Sequence, residues 1–249
     1  MLLKDKVAVI YGGGGAVGGA IARTFAHEGA RLYLAGRTRA PLEIVGAAIR
    51  KGGGTADAAT LDALDVDAVE AHAARVVDEA GRLDISLNVI GYGDTQGEPL
   101  LVMKPDRFVG AIHNAMESHF LTATAAGRHM VREGSGVILA LSAQAGRVPY
   151  LNTGGFGVLS AAIEAFCRQL AAELGPGGVR VVCLRSGGSP ETPAGQHKQE
   201  WWAKQAEKTA LRRLPLLTDV ANAAVLMASD RAGAITAEIV NVTSGELYD

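Results

Sequence analysis

Lys6-Val7-Ala8-Val9-Ile10-Tyr11 runs directly into Gly12-Gly13-Gly14-Gly15-Ala16-Val17-Gly18 and on into Gly19-Ala20-Ile21-Ala22-Arg23-Thr24-Phe25. The β-branched run reads as a strand, the Ala-rich stretch as a helix, and the glycines as the turn joining them. Residues without a Cβ let the backbone turn tightly and approach a phosphate closely. The free N–H groups at a helix start then supply partial positive charge for its oxygens. In mid-chain such a run would be a flexible surface loop. Between a first strand and a first helix it is a place for a pyrophosphate.

Outward from that junction, short β-branched runs alternate with Ala-rich helical periods. Strands are expected at Val7–Ile10, Arg31–Ala35, Thr55–Thr60, Ile85–Ile90, Val137–Leu141, Val179–Leu184 and Glu238–Val242. Helices are expected near Val17–His27, Pro41–Lys51, Val66–Glu79, Asp106–Arg132, Phe156–Leu174 and Asp219–Ala228. Pro41 suits a first helical turn, Thr218 an N-cap, and Gly29 and Gly175 helix ends. The rhythm predicts an α/β protein with a doubly wound parallel sheet of seven strands and helices on both faces, a three-layer α/β/α arrangement. One domain over residues 1–249 is expected. The long segment outside the rhythm, Ser186–Leu214, carries Pro190, Pro193 and the pair Trp201-Trp202. It follows a strand's C-terminal end, where lids over nucleotide clefts are built.

Composition bounds the function. The 249 residues are 48% hydrophobic, enough for a core covered on both faces, and the formal charge is −2. Lys and Arg are scattered without a basic stripe, so a nucleic-acid partner is not expected. Cys167 and Cys183 read as small buried apolar groups, and no metal site or disulfide framework is expected. No apolar stretch of bilayer-spanning length occurs, so a soluble, cytoplasmic protein with no export signal and no membrane partner is expected.

Several ordered pieces resemble the short-chain dehydrogenase/reductase family, over nearly the whole chain. Gly12 to Gly18 is similar to the family's Gly-x-x-x-Gly-x-Gly loop, with Ala16 in the middle glycine's place. Leu61-Asp62-Ala63 resembles the adenine-contacting segment, and Asn88-Val89-Ile90-Gly91 resembles Asn-Asn-Ala-Gly. Phe166–Leu174, Val179-Arg180-Val181 and Ser186-Gly187 resemble the long helix, next strand and Pro-Gly turn after the active site. Asp219-Val220-Ala221 and Asn241-Val242-Thr243-Ser244-Gly245 resemble the last helix and strand. The resemblance implies a Rossmann-like fold, a nicotinamide dinucleotide and a homotetramer formed through the two long helices. It also implies cofactor contacts at Gly12, Gly14, Gly15, Ala16, Val17, Gly18, Asp62, Ala63, Asn88, Ile90, Gly91, Ser160 and Gly187.

The end of the second strand, Ala35-Gly36-Arg37-Thr38, bears on which dinucleotide. A carboxylate here accepts from a ribose 2′-OH and repels a 2′-phosphate. No Asp or Glu occurs between Ala30 and Ala40, whereas Arg37 offers a planar guanidinium for a phosphate. NADP(H) is therefore expected over NAD(H), bound in part by Arg37 and Thr38; the alternative is that Arg37 is a solvated surface residue.

The family's chemistry rests on Asn, Ser and a Tyr-x-x-x-Lys pair. Aligning Ser160-Ala161-Ala162 on the segment beginning with Lys puts Phe156 at the Tyr position and Ser160 at the Lys position. The Ser position falls on Ala143 and the Asn position on Ala115. All four groups are absent. Ser142 and Asn114 each sit one place away. Neighbouring strand residues face opposite sides, and one helical residue is a turn of ~100°, so neither substitutes without a register change. Tyr150, His113 and His119 are the remaining candidates to enter the cleft, each with an ordinary packing role as the alternative. Trp201-Trp202 suggests a lid helix with one ring inward over an apolar small-molecule substrate; packing against the domain or a neighbouring subunit is the alternative. Losing a general acid costs ~10²–10⁴ in rate. The expectation is an atypical reductase whose acceptor, an iminium or a conjugated alkene, needs no proton in the hydride step. Alternatives are a non-redox enzyme using the same pocket and a catalytically silent sensor or partner subunit.

Overall fold

The computed structural model describes residues 1–93, 95–193 and 199–247. Seven strands, β1 (Val7–Tyr11), β2 (Arg31–Gly36), β3 (Thr55–Thr60), β4 (Ile85–Asn88), β5 (Gly136–Ala143), β6 (Val179–Ser186) and β7 (Glu238–Val242), form one sheet in the order β3-β2-β1-β4-β5-β6-β7. Every pairing is parallel. The helices between them are α1 (Ala16–His27), α2 (Arg39–Lys51), α3 (Val66–Ala80), α4 (Pro105–Glu133), α5 (Gly155–Leu174), α6 (Gln199–Ala206) and α7 (Leu217–Ala228).

Both faces of the sheet are covered. Along β1, Val7, Val9 and Tyr11 join the apolar layer shared with α3, α4 and α5, while Ala8 and Ile10 join the layer shared with α1, α2 and α7. A strand buried on both sides reads as an unbroken apolar run rather than an alternating one, as Val7–Tyr11 does. Burying each Leu, Ile or Phe of these layers contributes about 1.5–3 kcal/mol.

The strand order reverses between β1 and β4. In an open parallel sheet that reversal leaves a crevice at the C-terminal strand ends, with helices leaving to opposite faces. The expected elements recur within a residue or two, with three instructive departures. β4 stops at Asn88, whose side chain accepts from the Ile90 N–H at 3.1 Å and turns the chain out of the sheet. β5 and β6 run on to Ala143 and Ser186, paired with each other to the end. The cap of α7 is Leu216 rather than Thr218. The Asp219 carboxylate accepts the Leu216 N–H at 2.8 Å, a reach-back from the first turn that fixes the start two residues earlier and puts Thr218 inside the helix.

The segment Ser186–Leu214 contains α6. Its stretch 194–198 lies outside the described residues. Trp201 and Trp202 meet edge-on at 4.5 Å. Trp202 lies against Gly188, where a Cβ would come within 2.5 Å of its ring, and Trp201 is half-exposed.

Candidate active site

The glycine turn is built by close approach. Gly12 has φ +86° and donates to the Ala35 carbonyl at 2.8 Å, and Gly15 donates back to the Gly12 carbonyl at 3.0 Å. A Cβ on Gly12 would stand 2.7 Å from the Val89 carbonyl oxygen, and one on Gly18 would overlap the Gly12 carbonyl oxygen, so α1 starts hard against β1. Gly15 caps α1 without a side-chain hydrogen bond. The first turn, Ala16-Val17-Gly18, therefore keeps its orphan donors for a ligand.

These residues open onto a cleft of about 320 Å³ at the switch point, lined among others by Gly12, Gly14, Arg37, Asp62, Ile90 and Asn114. A backbone cradle that side chains would fill, with helix-start donors above it, fits a dinucleotide pyrophosphate. Arg37 and Thr38 are exposed at the end of β2. Arg39 is engaged with Glu43 at 2.8 Å, whereas Arg37 has no ion pair among the described residues. Asp62 is exposed; one carboxylate oxygen accepts from the Leu64 N–H at 3.1 Å, and Ala63 beside it is buried. Asn88 is buried, and its amide donates to Thr122 Oγ1 at 3.1 Å, so it shapes the turn that presents Ile90 and Gly91. Gly187 is buried and donates to the Val242 carbonyl at 3.1 Å.

Beyond the cleft lie the residues that the family resemblance sets against Asn, Ser, Tyr and Lys. Ala115 is fully buried in an uninterrupted α4, Ala143 ends β5, and Phe156 is half-buried in the first turn of α5. Ser160 is 1% exposed, and its hydroxyl donates to the Phe156 carbonyl at 2.7 Å. Ser142 faces the interior, where its hydroxyl donates to Glu164 Oε1 at 2.8 Å. Glu164 is held in turn by two bonds from Arg185, at 2.8 and 2.7 Å. Asn114 lines the cleft at the glycine turn.

The phenols and imidazoles nearby are equally committed. Tyr150 donates to Glu246 Oε1 at 2.7 Å; burial first, then that hydrogen bond and charge, hold its phenol above the usual range. His113 is exposed and pairs with Glu117 at 3.4 Å. His119 is 2% exposed, its Nδ1 donating to the Ala115 carbonyl at 2.9 Å, and burial lowers its pKa to about 4. Tyr92, which sequence reasoning passed over, has its hydroxyl 3.4 Å from the His119 ring nitrogens, and burial pushes that phenol up strongly. The signal for Tyr92 was its place directly after Gly91. Among the described residues no group of three His, Cys, Asp or Glu side chains could hold a metal ion.

The comparisons with known proteins agree with this architecture. The family model described as enoyl-(acyl carrier protein) reductase matches residues 14–246. The short-chain reductase protein NovJ of Streptomyces niveus is 31% identical over 97% of this chain and 94% of its own. A 7alpha-hydroxysteroid dehydrogenase of Clostridium sardiniense is 28% identical over 98% of this chain and 94% of its own. The solved structure of a 7alpha-hydroxysteroid dehydrogenase complexed with NADH and 7-oxo glycochenodeoxycholic acid superposes with a TM-score of 0.91 at 28% identity, covering 99% of this chain and 96% of that one. The sheet order, the glycine turn and these matches together place the chain in the short-chain dehydrogenase/reductase family.

Proposed function

We propose that this chain is an NADP(H)-dependent oxidoreductase that reduces an acceptor already activated for hydride, an iminium or a polarised conjugated alkene. The observation that carries the reading is a contrast within one site. The glycine turn, Arg37 and Asp62 line one cleft, while Ala115, Ala143 and Phe156 carry no acidic hydrogen and the buried Ser160 hydroxyl is spent on a backbone carbonyl. When bound, the dinucleotide would supply a hydride to the acceptor carbon. An iminium π pair moving to nitrogen completes that step without a proton; with a conjugated alkene the pair moves to the carbonyl oxygen, and the enolate takes its proton from water after the hydride has moved.

The chain's own residues bind and enclose. Gly12, Gly14, Gly15, Ala16, Val17 and Gly18 would hold the pyrophosphate, Asp62 and Ala63 the adenine, and Ile90, Gly91 and Gly187 the nicotinamide half. The uncommitted Arg37 guanidinium, with Thr38, supports NADP(H), because a phosphate monoester fits its fork and no carboxylate in β2 repels it. Phe156, Ala143 and Ala115 would give an apolar floor, with the Ser186–Leu214 segment and its Trp pair as lid. Half-exposed Val109 and Phe120 on α4 and Val158 on α5 support a homotetramer through those helices.

Calorimetric titration with NADPH tests the binding half; no heat at high micromolar cofactor would remove it. NADPH absorbance followed against ketones, enones and cyclic imines tests the chemistry, with turnover expected for the last two only. Ser160 favours a second reading, a silent NADP(H)-binding sensor or partner subunit. Its hydroxyl is committed to Phe156 and cannot replace a ribose-holding lysine. That reading gains if NADPH binds and no acceptor is reduced.

A further inference from the structure

We infer that Glu246, held by Tyr150, is the binding site for the positive charge of a cationic substrate. The inference rests on the acid-free reductase reading and narrows its acceptor from two classes to the iminium.

Tyr150 lies on the connection from β5 to α5, which begins at Ala143 and ends at Phe156. That connection is laced to the vacated centre: Thr153 Oγ1 donates to the Tyr150 carbonyl at 3.0 Å, and Phe156 N donates to the Thr153 carbonyl at 3.0 Å. Glu246 comes from the other wall. It follows β7, whose last residue accepts from Gly187, and Gly245 and Ser244 beside it accept from Ala210 and Leu211 at the base of the lid segment, both at 3.1 Å. The Tyr150–Glu246 bond therefore bridges two loops at C-terminal strand ends, the side of a parallel sheet on which ligands bind.

The carboxylate is half-buried, and among the described residues its side-chain hydrogen-bond partner is a neutral phenol. Among the described residues it has no Arg, Lys or His in ion-pair range. A partly desolvated carboxylate without a counter-ion attracts a cation more strongly than one in water. A ketone or neutral enone would gain nothing from this charge. An iminium, which needs no acid, is the acceptor class that both the vacated centre and the carboxylate favour.

The test uses the full chain loaded with NADP+, which cannot supply hydride, and calorimetry with N-methylisoquinolinium against neutral N-methylisoquinolone. The cation is expected to bind about tenfold or more tightly than its neutral counterpart. Glu246→Gln, which keeps an acceptor for Tyr150, is expected to erase that preference while leaving neutral-ligand and NADP+ affinities within about twofold. Tyr150→Phe should keep most of the preference. A wild type without cation preference, including one that binds neither ring, or a preference surviving in Glu246→Gln, overturns the inference. The parent reading fails separately, by selective cation binding with no NADPH oxidation on cyclic iminium substrates.

Discussion

The Ser160 hydroxyl is bonded to the Phe156 carbonyl one turn earlier in α5, so that hydroxyl is fastened to the helix backbone and not presented to a ligand. Gly146 seals the arrangement, since a Cβ there would stand 3.0 Å from Ser160 Cβ. Phe156→Tyr alone is therefore expected to give no measurable ketone reduction, because the phenol would lack its charge partner and such groups act as a unit. Ser160→Lys alone should lower unfolding free energy by roughly 2–4 kcal/mol by burying an ammonium without a partner. Steady-state assays on ketones and urea melts check both; ketone turnover by Phe156→Tyr at ordinary enzymatic rates would show that the acid site was one substitution from working.

Behind that site, Glu164 and Arg185 form a two-pronged ion pair with side chains 6% and 5% exposed. Asn241 accepts a further bond from Arg185 at 3.0 Å and Ser142 donates to Glu164, so the pair ties α5 to β5, β6 and β7. Arg185→Met or Glu164→Leu is expected to cost about 3–5 kcal/mol, because each leaves a buried charge alone. The double variant should cost clearly less than the sum. Denaturant midpoints on the cycle decide it, and strict additivity would show that the two side chains are not coupled.

Much of this was legible in the chain before folding. Strand and helix periodicity and the glycine turn depend on local spacing, which sequence displays directly. What stayed hidden depends on contacts across long separations. Tyr92 meets His119, Glu164 meets Arg185, and Tyr150 meets Glu246 only because the sheet order brings the strand ends together. The misplaced cap at Thr218 has the same origin on a small scale: a threonine before an apolar run is a sound N-cap signal, but the carboxylate of Asp219 reaches back to Leu216 instead.

Arg37 offers a direct test of cofactor choice. It is exposed and without an ion pair among the described residues, at the edge of the cleft at the glycine turn. Arg37→Glu should weaken NADPH by about tenfold to a hundredfold, through loss of a charge-assisted pair and gain of repulsion, and should spare or improve NADH. Calorimetry with both dinucleotides measures the ratio. Equal weakening of both would mean that Arg37 acts on something common to them.

Buried histidines set an acid limit on the fold. His119 and His72 are 2% and 5% exposed, and burial, aided at His72 by the nearby Arg75 charge, lowers each from 6.5 to about 4. Above pH 6.5 both states of the chain carry them neutral. Between pH 6.5 and 4 the unfolded chain takes up a proton that the folded chain refuses, so stability falls as pH falls, by up to about 3 kcal/mol per histidine. Neither His72 ring nitrogen has a hydrogen-bond partner among the described residues, so His72→Leu should be neutral or stabilising at pH 7 and should flatten the decline. His119→Leu should flatten it too, but at a cost at pH 7, because the Ala115 carbonyl loses its donor. Urea unfolding at pH 7, 6, 5 and 4.5 separates the two contributions, and a wild-type stability that holds level across that range would mean both imidazoles are protonated in the native state.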